Sequence, residues 1–125
     1  MIEADDSIKG ETFYRPLGGG IEFGETGANA IAREIREEIG AEIAEVEYLG
    51  ALENIFTYNG LPGHEIVQVY DARFVDKSLY SASHIRGVES NGEPMTVLWK
   101  SVREFSAGHP LYPSGLLSLL RKARP

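Results

Sequence analysis

Four glutamates (Glu25, Glu34, Glu37 and Glu38) and Arg33 fall within a short stretch that follows the glycine run Gly18-Gly19-Gly20. On a helical wheel at about 100° per residue, Glu38 lies about 40° to one side of Glu34 and Glu37 about 60° to the other. The three carboxylates therefore share a face. Like charges spaced i,i+3 and i,i+4 cost a helix about 0.2–0.5 kcal/mol per pair. A helix selected only for solubility places a lysine at one of those positions. Clustered carboxylates beside a glycine loop suit a hard divalent cation. Mg²⁺ takes oxygen ligands, keeps waters and leaves positions open for phosphate oxygens, and Mn²⁺ is a possible substitute. Backbone without Cβ atoms can come close to metal or phosphate, which gives Gly18, Gly19 and Gly20 a role. Arg33 can pair with Glu25 and fix the loop to the helix. On these residues alone the plainer reading stays open: a solvated helix face with Arg33–Glu37 as an ordinary i,i+4 pair.

The elements that must position these groups follow from periodicity. Ala28, Ile31, Ala32, Ile35 and Ile39 recur at helical spacing, predicting a helix over 28–39 with Gly40 as its C-cap and Thr26 or Asn29 as its N-cap. In the first sixteen residues only Thr12-Phe13-Tyr14 is strand-like, and Ile21-Glu22-Phe23 reads as a short strand or extended loop. Strands are expected over 43–49, 52–58, 65–75 and 95–99, with loops over 59–63 and 76–94. Trp99 is expected in the core. A helical turn over 102–105 and a leucine-rich helix over 115–122, capped by Ser114, complete the pattern. Strands and two helices outside strict βαβ alternation give an α+β class, in one domain spanning 1–125.

Composition bounds the function. Of the chain's net charge of −7, six negative charges lie between residues 22 and 47, so the acidity is local. Such a chain has no electrostatic reason to bind a nucleic-acid polymer, and Lys100, Arg103, Arg121, Lys122 and Arg124 are too scattered to form a patch. The absence of cysteine removes disulfides, thiolate zinc sites, iron–sulfur clusters and a thiol nucleophile. No apolar run nears the roughly 20 residues of a membrane span. The acidic N-terminus does not resemble a signal peptide, so a soluble cytoplasmic protein is expected.

Residues 19–41 resemble the Nudix box, G-x5-E-x7-R-E-U-x-E-E-x-G-U. Gly19, Glu25, Arg33-Glu34-Ile35, Glu37-Glu38 and Gly40 all match, and Ala41 stands where a bulkier aliphatic is usual. The resemblance implies an α/β/α sandwich with a mixed sheet and hydrolysis of a nucleoside diphosphate linked to another moiety, X. It implies Glu34, Glu37, Glu38 and the Gly19 carbonyl as metal ligands, with Glu93 as a further candidate ligand and Glu25 and Arg33 as the loop–helix brace. The general base varies within the family. Glu34 is one candidate and a downstream glutamate another, Glu93 first and Glu89 second. Nudix domains usually carry a full strand or hairpin ahead of the glycine loop. Here only eighteen residues are available, and Met1-Ile2-Glu3-Ala4 reads as the tail of such a strand. The N-terminus is thus expected to be short: either the start is truncated, or the fold is completed another way, as by a homodimer partner.

His64, at the edge of a Gly-Pro-Gly loop, and Tyr58, at an offset seen in dinucleoside polyphosphate hydrolases of the family, are candidate substrate contacts, as are Gly18 and Gly20. His84 and His109 have no chemical neighbourhood in sequence. Two functional classes remain: a magnesium-dependent pyrophosphohydrolase, which the intact glutamate set favours, and a nucleotide-sensing Nudix-fold module without catalysis, which the short N-terminus favours.

Overall fold

The computed structural model describes residues 1–123; Arg124 and Pro125 lie outside the described residues. β1 (Ile2–Asp6) and β2 (Glu11–Arg15) form an antiparallel hairpin, with Ile2 opposite Arg15 and Asp6 opposite Glu11. The residues ahead of the glycine loop are therefore not the tail of one strand. They supply both strands of a hairpin. Met1 and Leu98 exchange hydrogen bonds, at 2.7 Å from the α-amino group and 2.8 Å back to the Met1 carbonyl. These lock β1 to β6 (Pro94–Leu98), and β6 pairs with β5 (His84–Val88). The sheet order is β2-β1-β6-β5. Every strand pair in it is antiparallel, and the parallel component is the bridge between Tyr14 and Leu111.

Between the sheet's two hairpins the chain makes helix α1 (Gly27–Ile39) and a long ribbon of β3 (Ile43–Tyr58) and β4 (Leu61–Phe74). Thr26 is the N-cap, its hydroxyl oxygen accepting the Asn29 N–H at 3.2 Å, and Gly40 closes the helix in the left-handed region at φ 66°. The strands expected over 43–49 and 52–58 are one strand. Register shifts between Ala44 and Glu47 and between Tyr48 and Gly50 absorb the irregular residues as bulges. The loop expected over 59–63 shrinks to the two-residue turn Asn59-Gly60, with φ of 48° and 80°, the positive values a tight hairpin turn demands.

Alternation along β1 and β2 sends Ile2 and Tyr14 to opposite faces. Ile2 packs with Ile85, Met95 and Val97, and Ile39 of α1 lies against this cluster. Tyr14 packs with Val69, Phe105, Leu111 and Leu116, the last from α2 (Leu116–Ala123). Helices on both sides of the sheet make the α+β sandwich. The expected turn over 102–105 is a short 3₁₀ turn, Val102–Glu104, closed by a capping box from Ser101.

Two further expectations are corrected. Residues 76–94 hold a 3₁₀ turn (Lys77–Ser81) and β5, whose His-Ile-Arg-Gly-Val sequence has too few apolar residues to show as a strand. Trp99 is not in the core: it is 47% exposed, stacked on Tyr80 at 5.2 Å, with its indole N–H donated to the Leu79 carbonyl at 2.9 Å. An indole N–H needs a partner, which holds the ring at the rim.

Candidate active site

The glycine loop and α1 are joined by one arginine. Arg33 grips Glu25 through two nitrogens, at 2.7 and 2.9 Å, and donates to the Gly20 carbonyl at 2.9 Å. Its third nitrogen donates to Glu34 at 2.9 Å and to Glu37 at 3.2 Å. The paired guanidinium holds the Glu25 carboxyl down at about 2, and Glu25 and Glu34 in turn keep Arg33 charged. Glu25 also accepts the Glu22 N–H, so the loop is fixed along its length.

Behind this brace the loop lies directly on the helix. Gly19 sits so close to Glu34 that a Cβ there would meet the carboxylate carbon at 2.3 Å. Only glycine fits. One residue earlier, the Gly18 N–H donates to Glu38 at 3.2 Å. Glu38 is 8% exposed, and burial, then the charge of Glu34, pushes its carboxyl up to about 7. Gly87 of β5 sets the depth of that burial, because a Cβ there would lie 2.5 Å from the Glu38 carbonyl oxygen.

Glu34, Glu38, Gly18 and Gly19 are thus brought together, with Glu25, Arg33 and Gly20 as the frame. Glu37 is at the margin, its side chain 59% exposed and held by Arg33. Two further residues join the site: Arg15, which sequence reasoning missed, and Glu89, which it ranked behind Glu93. Arg15, at the end of β2, pairs with Glu89 at 2.8 Å, and both charges act on Glu38. A basic residue three positions ahead of the glycine run was the one signal that could have found Arg15. Glu89 is the downstream glutamate that faces the helix. Glu93 is exposed across the same turn, where its backbone carbonyl accepts the Glu89 N–H at 2.8 Å. His64 is also set apart. It lies on the outer face of the ribbon, 3.5 Å from Glu53, whereas Tyr58 turns inward, edge-on to Phe13 at 5.8 Å.

Among the described residues no three acidic or histidine side chains converge closely enough to hold a metal ion. Arg33 draws Glu34 and Glu37 to itself while Gly18 holds Glu38. The donor chemistry still fits a hard cation. Every side-chain donor is a carboxylate oxygen, and burial and the charge of Glu34 together outweigh the Gly18 hydrogen bond and Arg15 in raising Glu38.

Comparison with known proteins places the chain in a family. The model of the NUDIX domain matches residues 5–107. The chain belongs to the Nudix family. Curated relatives include the NAD-capped RNA hydrolase NudC of Pseudomonas aeruginosa strain LESB58 and that of strain PAO1. Each is 45% identical over 38 residues, 30% of this chain but 14% of the relative. The Nudix chain therefore aligns with only a small part of those relatives' length. No solved structure matches this Nudix chain.

Proposed function

We propose that this Nudix domain hydrolyses a diphosphate linkage in a nucleoside diphosphate linked to a second moiety, with Mg²⁺ as its cofactor and Mn²⁺ able to replace it. The observation that carries the reading is the Glu34–Glu38 carboxylate pair, rigid on one helix and clamped under Gly18 and Gly19. Glu34, Glu37, Glu38 and the Gly19 carbonyl would hold the cation, which supplies charge neutralisation at the diphosphate and lowers the pKa of a bound water.

The chain's own residues do the rest. Arg33 and Glu25 keep loop and helix at fixed separation, so the carboxylates need no reorganisation when substrate arrives. Arg15 offers a cation beside the glycine loop and can exchange Glu89 for a phosphate oxygen. That exchange frees the Glu89 carboxylate next to Glu38, which makes Glu89 a stronger candidate than Glu93 for the proton acceptor, with Glu34 the other. Gly18 and Gly20 line the cleft through which phosphates reach the helix.

Product analysis of a panel tests the reading: nucleotide sugars, ADP-ribose, nucleoside triphosphates and dinucleoside polyphosphates, each with Mg²⁺ or with EDTA. Metal-dependent release of a nucleotide from at least one class is expected. No cleavage of any member, with Mg²⁺ or Mn²⁺ present, would contradict it.

A further inference from the structure

Next to the catalytic cleft lies a second, larger cavity of about 900 Å³, between the β1–β2 hairpin and the inner face of the β3–β4 ribbon. Its volume is that of a site for a small organic ligand. Alternation puts Ala4, Phe13 and Arg15 on one wall and Asn54, Phe56 and Glu65 on the other. The far end is tied shut. Asp6 accepts the Asn59 N–H at 3.1 Å, and the Asn59 side-chain oxygen accepts the Ser7 N–H at 3.0 Å. Arg15 and Glu65 line both this cavity and the glycine-loop cleft, so the two are continuous.

Asn54 is the unusual member of the wall. It is 6% exposed, in a strand otherwise rich in apolar residues. Its Nδ2 donates to Glu65 at 3.1 Å, which fixes the amide's orientation. Its Oδ1 has no partner among the described side chains, and yet no side-chain polar atom is both sealed from solvent and unsatisfied. The oxygen therefore opens on the cavity. One Nδ2 proton is also left, because the amide carries two and Glu65 takes one. A buried amide with a free acceptor beside a free donor is a reading head for a base edge, and asparagine pairs in this way with adenine.

We infer that this cavity seats the adenine base of the substrate, with the Asn54 amide reading its edge and the diphosphate running past Arg15 to the glycine loop. The inference rests on the proposed hydrolysis for the direction of the phosphates. The choice of base comes from the order of groups: Oδ1, Nδ2–H, then the Glu65 carboxylate. Adenine meets that order with its exocyclic N–H, a ring nitrogen, and a C–H against the carboxylate. Guanine paired to the same amide turns N7 towards Glu65, and cytosine turns O2 towards it. Each sets an acceptor against a carboxylate, which costs affinity. Uracil avoids that clash but offers a smaller ring to stack. The Phe56 ring lies against Gly63, where a Cβ would meet it at 2.3 Å, and Tyr58 and Tyr112 flank Phe13. Base–aromatic stacking grows with ring area, which favours the purine.

Calorimetric titration of the full chain in EDTA with AMP, GMP, CMP and UMP tests the assignment without turnover. AMP is expected to bind at least about tenfold more tightly than the other three. Asn54→Leu should erase the preference, and Phe56→Ala, at a ring 37% exposed, should weaken all four bases. Circular dichroism confirms that each variant is folded. Equal affinity for the four nucleotides, or an intact AMP preference in folded Asn54→Leu, would overturn the seat. An AMP preference without hydrolysis of any substrate would sustain the seat and overturn the proposed reaction; hydrolysis without base preference would do the reverse.

Discussion

The Gly18 amide donates to the Glu38 carboxylate at 3.2 Å, so the mouth of the glycine loop rests on the one helix glutamate that is buried. That contact places backbone, carboxylate and the incoming phosphate path within one small volume. It also makes the site a source of instability in the protein without metal.

The first prediction concerns pH. Burial and Glu34 raise the folded Glu38 carboxyl from 4.5 to about 7. A raised acid binds its proton more tightly in the folded state, so its favourable contribution is complete below 4.5 and is lost as pH rises through 7. In EDTA the melting temperature should fall between pH 5 and pH 7.5, and Glu38→Gln should flatten that slope. Mg²⁺ should raise the wild-type melting temperature at pH 7.5 by binding the folded state only. Scanning fluorimetry across the range checks all three.

Arg33 gives the second. Arg33→Lys keeps the charge but cannot hold Glu25 with two nitrogens while reaching Glu34 and the Gly20 carbonyl. Loss of a group that orients metal ligands costs roughly 10- to 100-fold in metal affinity or activity. Mg²⁺ activation curves for the variant should shift accordingly, with the apparent metal affinity falling before the fold is lost.

The third lies outside the loop. Gly87→Ala drives a methyl group against the Glu38 carbonyl and Ile39. Overpacking of this kind costs about 1–3 kcal/mol. Urea denaturation should show a loss in that range, and activity should fall with it because the last turn of α1 is displaced.

Asp6 supplies the fourth. Its carboxylate accepts the Ile8, Lys9 and Asn59 N–H groups, tying the tips of both hairpins, and these bonds, Lys9 first, hold its pKa below the ordinary value. A depressed acid stabilises above its unfolded pKa and ceases to do so as pH falls through the folded value. Asp6→Ala should speed hydrogen exchange at Ile8, Lys9 and Asn59 at neutral pH, and the wild type should approach the variant only in strong acid.

What the sequence made legible divides along physical lines. The helix over 28–39 and its caps were legible because apolar spacing and Gly40 are local signals, and the Glu25–Arg33 brace because fixed spacing names both partners. β5 was not, since only Ile85 and Val88 mark it, although its partner β6 follows after a short turn. The hairpin ahead of the loop was missed for a related reason: Asp5 and Asp6 read as a polar tail, yet Asp6 is buried as the acceptor that closes the turn. Arg15, Asn54 and Glu65 belong to three strands, and only pairing and the facing of two hairpins bring them to adjoining walls.

The central claim is that Glu38 is part of the hydrolytic machinery and not a buried structural acid. The most direct test is kcat/KM of wild type and Glu38→Gln at saturating Mg²⁺, on the substrate class that the wild type cleaves fastest. The variant should retain or slightly gain stability without metal and lose at least about a hundredfold in kcat/KM. A folded variant turning over within threefold of wild type would contradict the account.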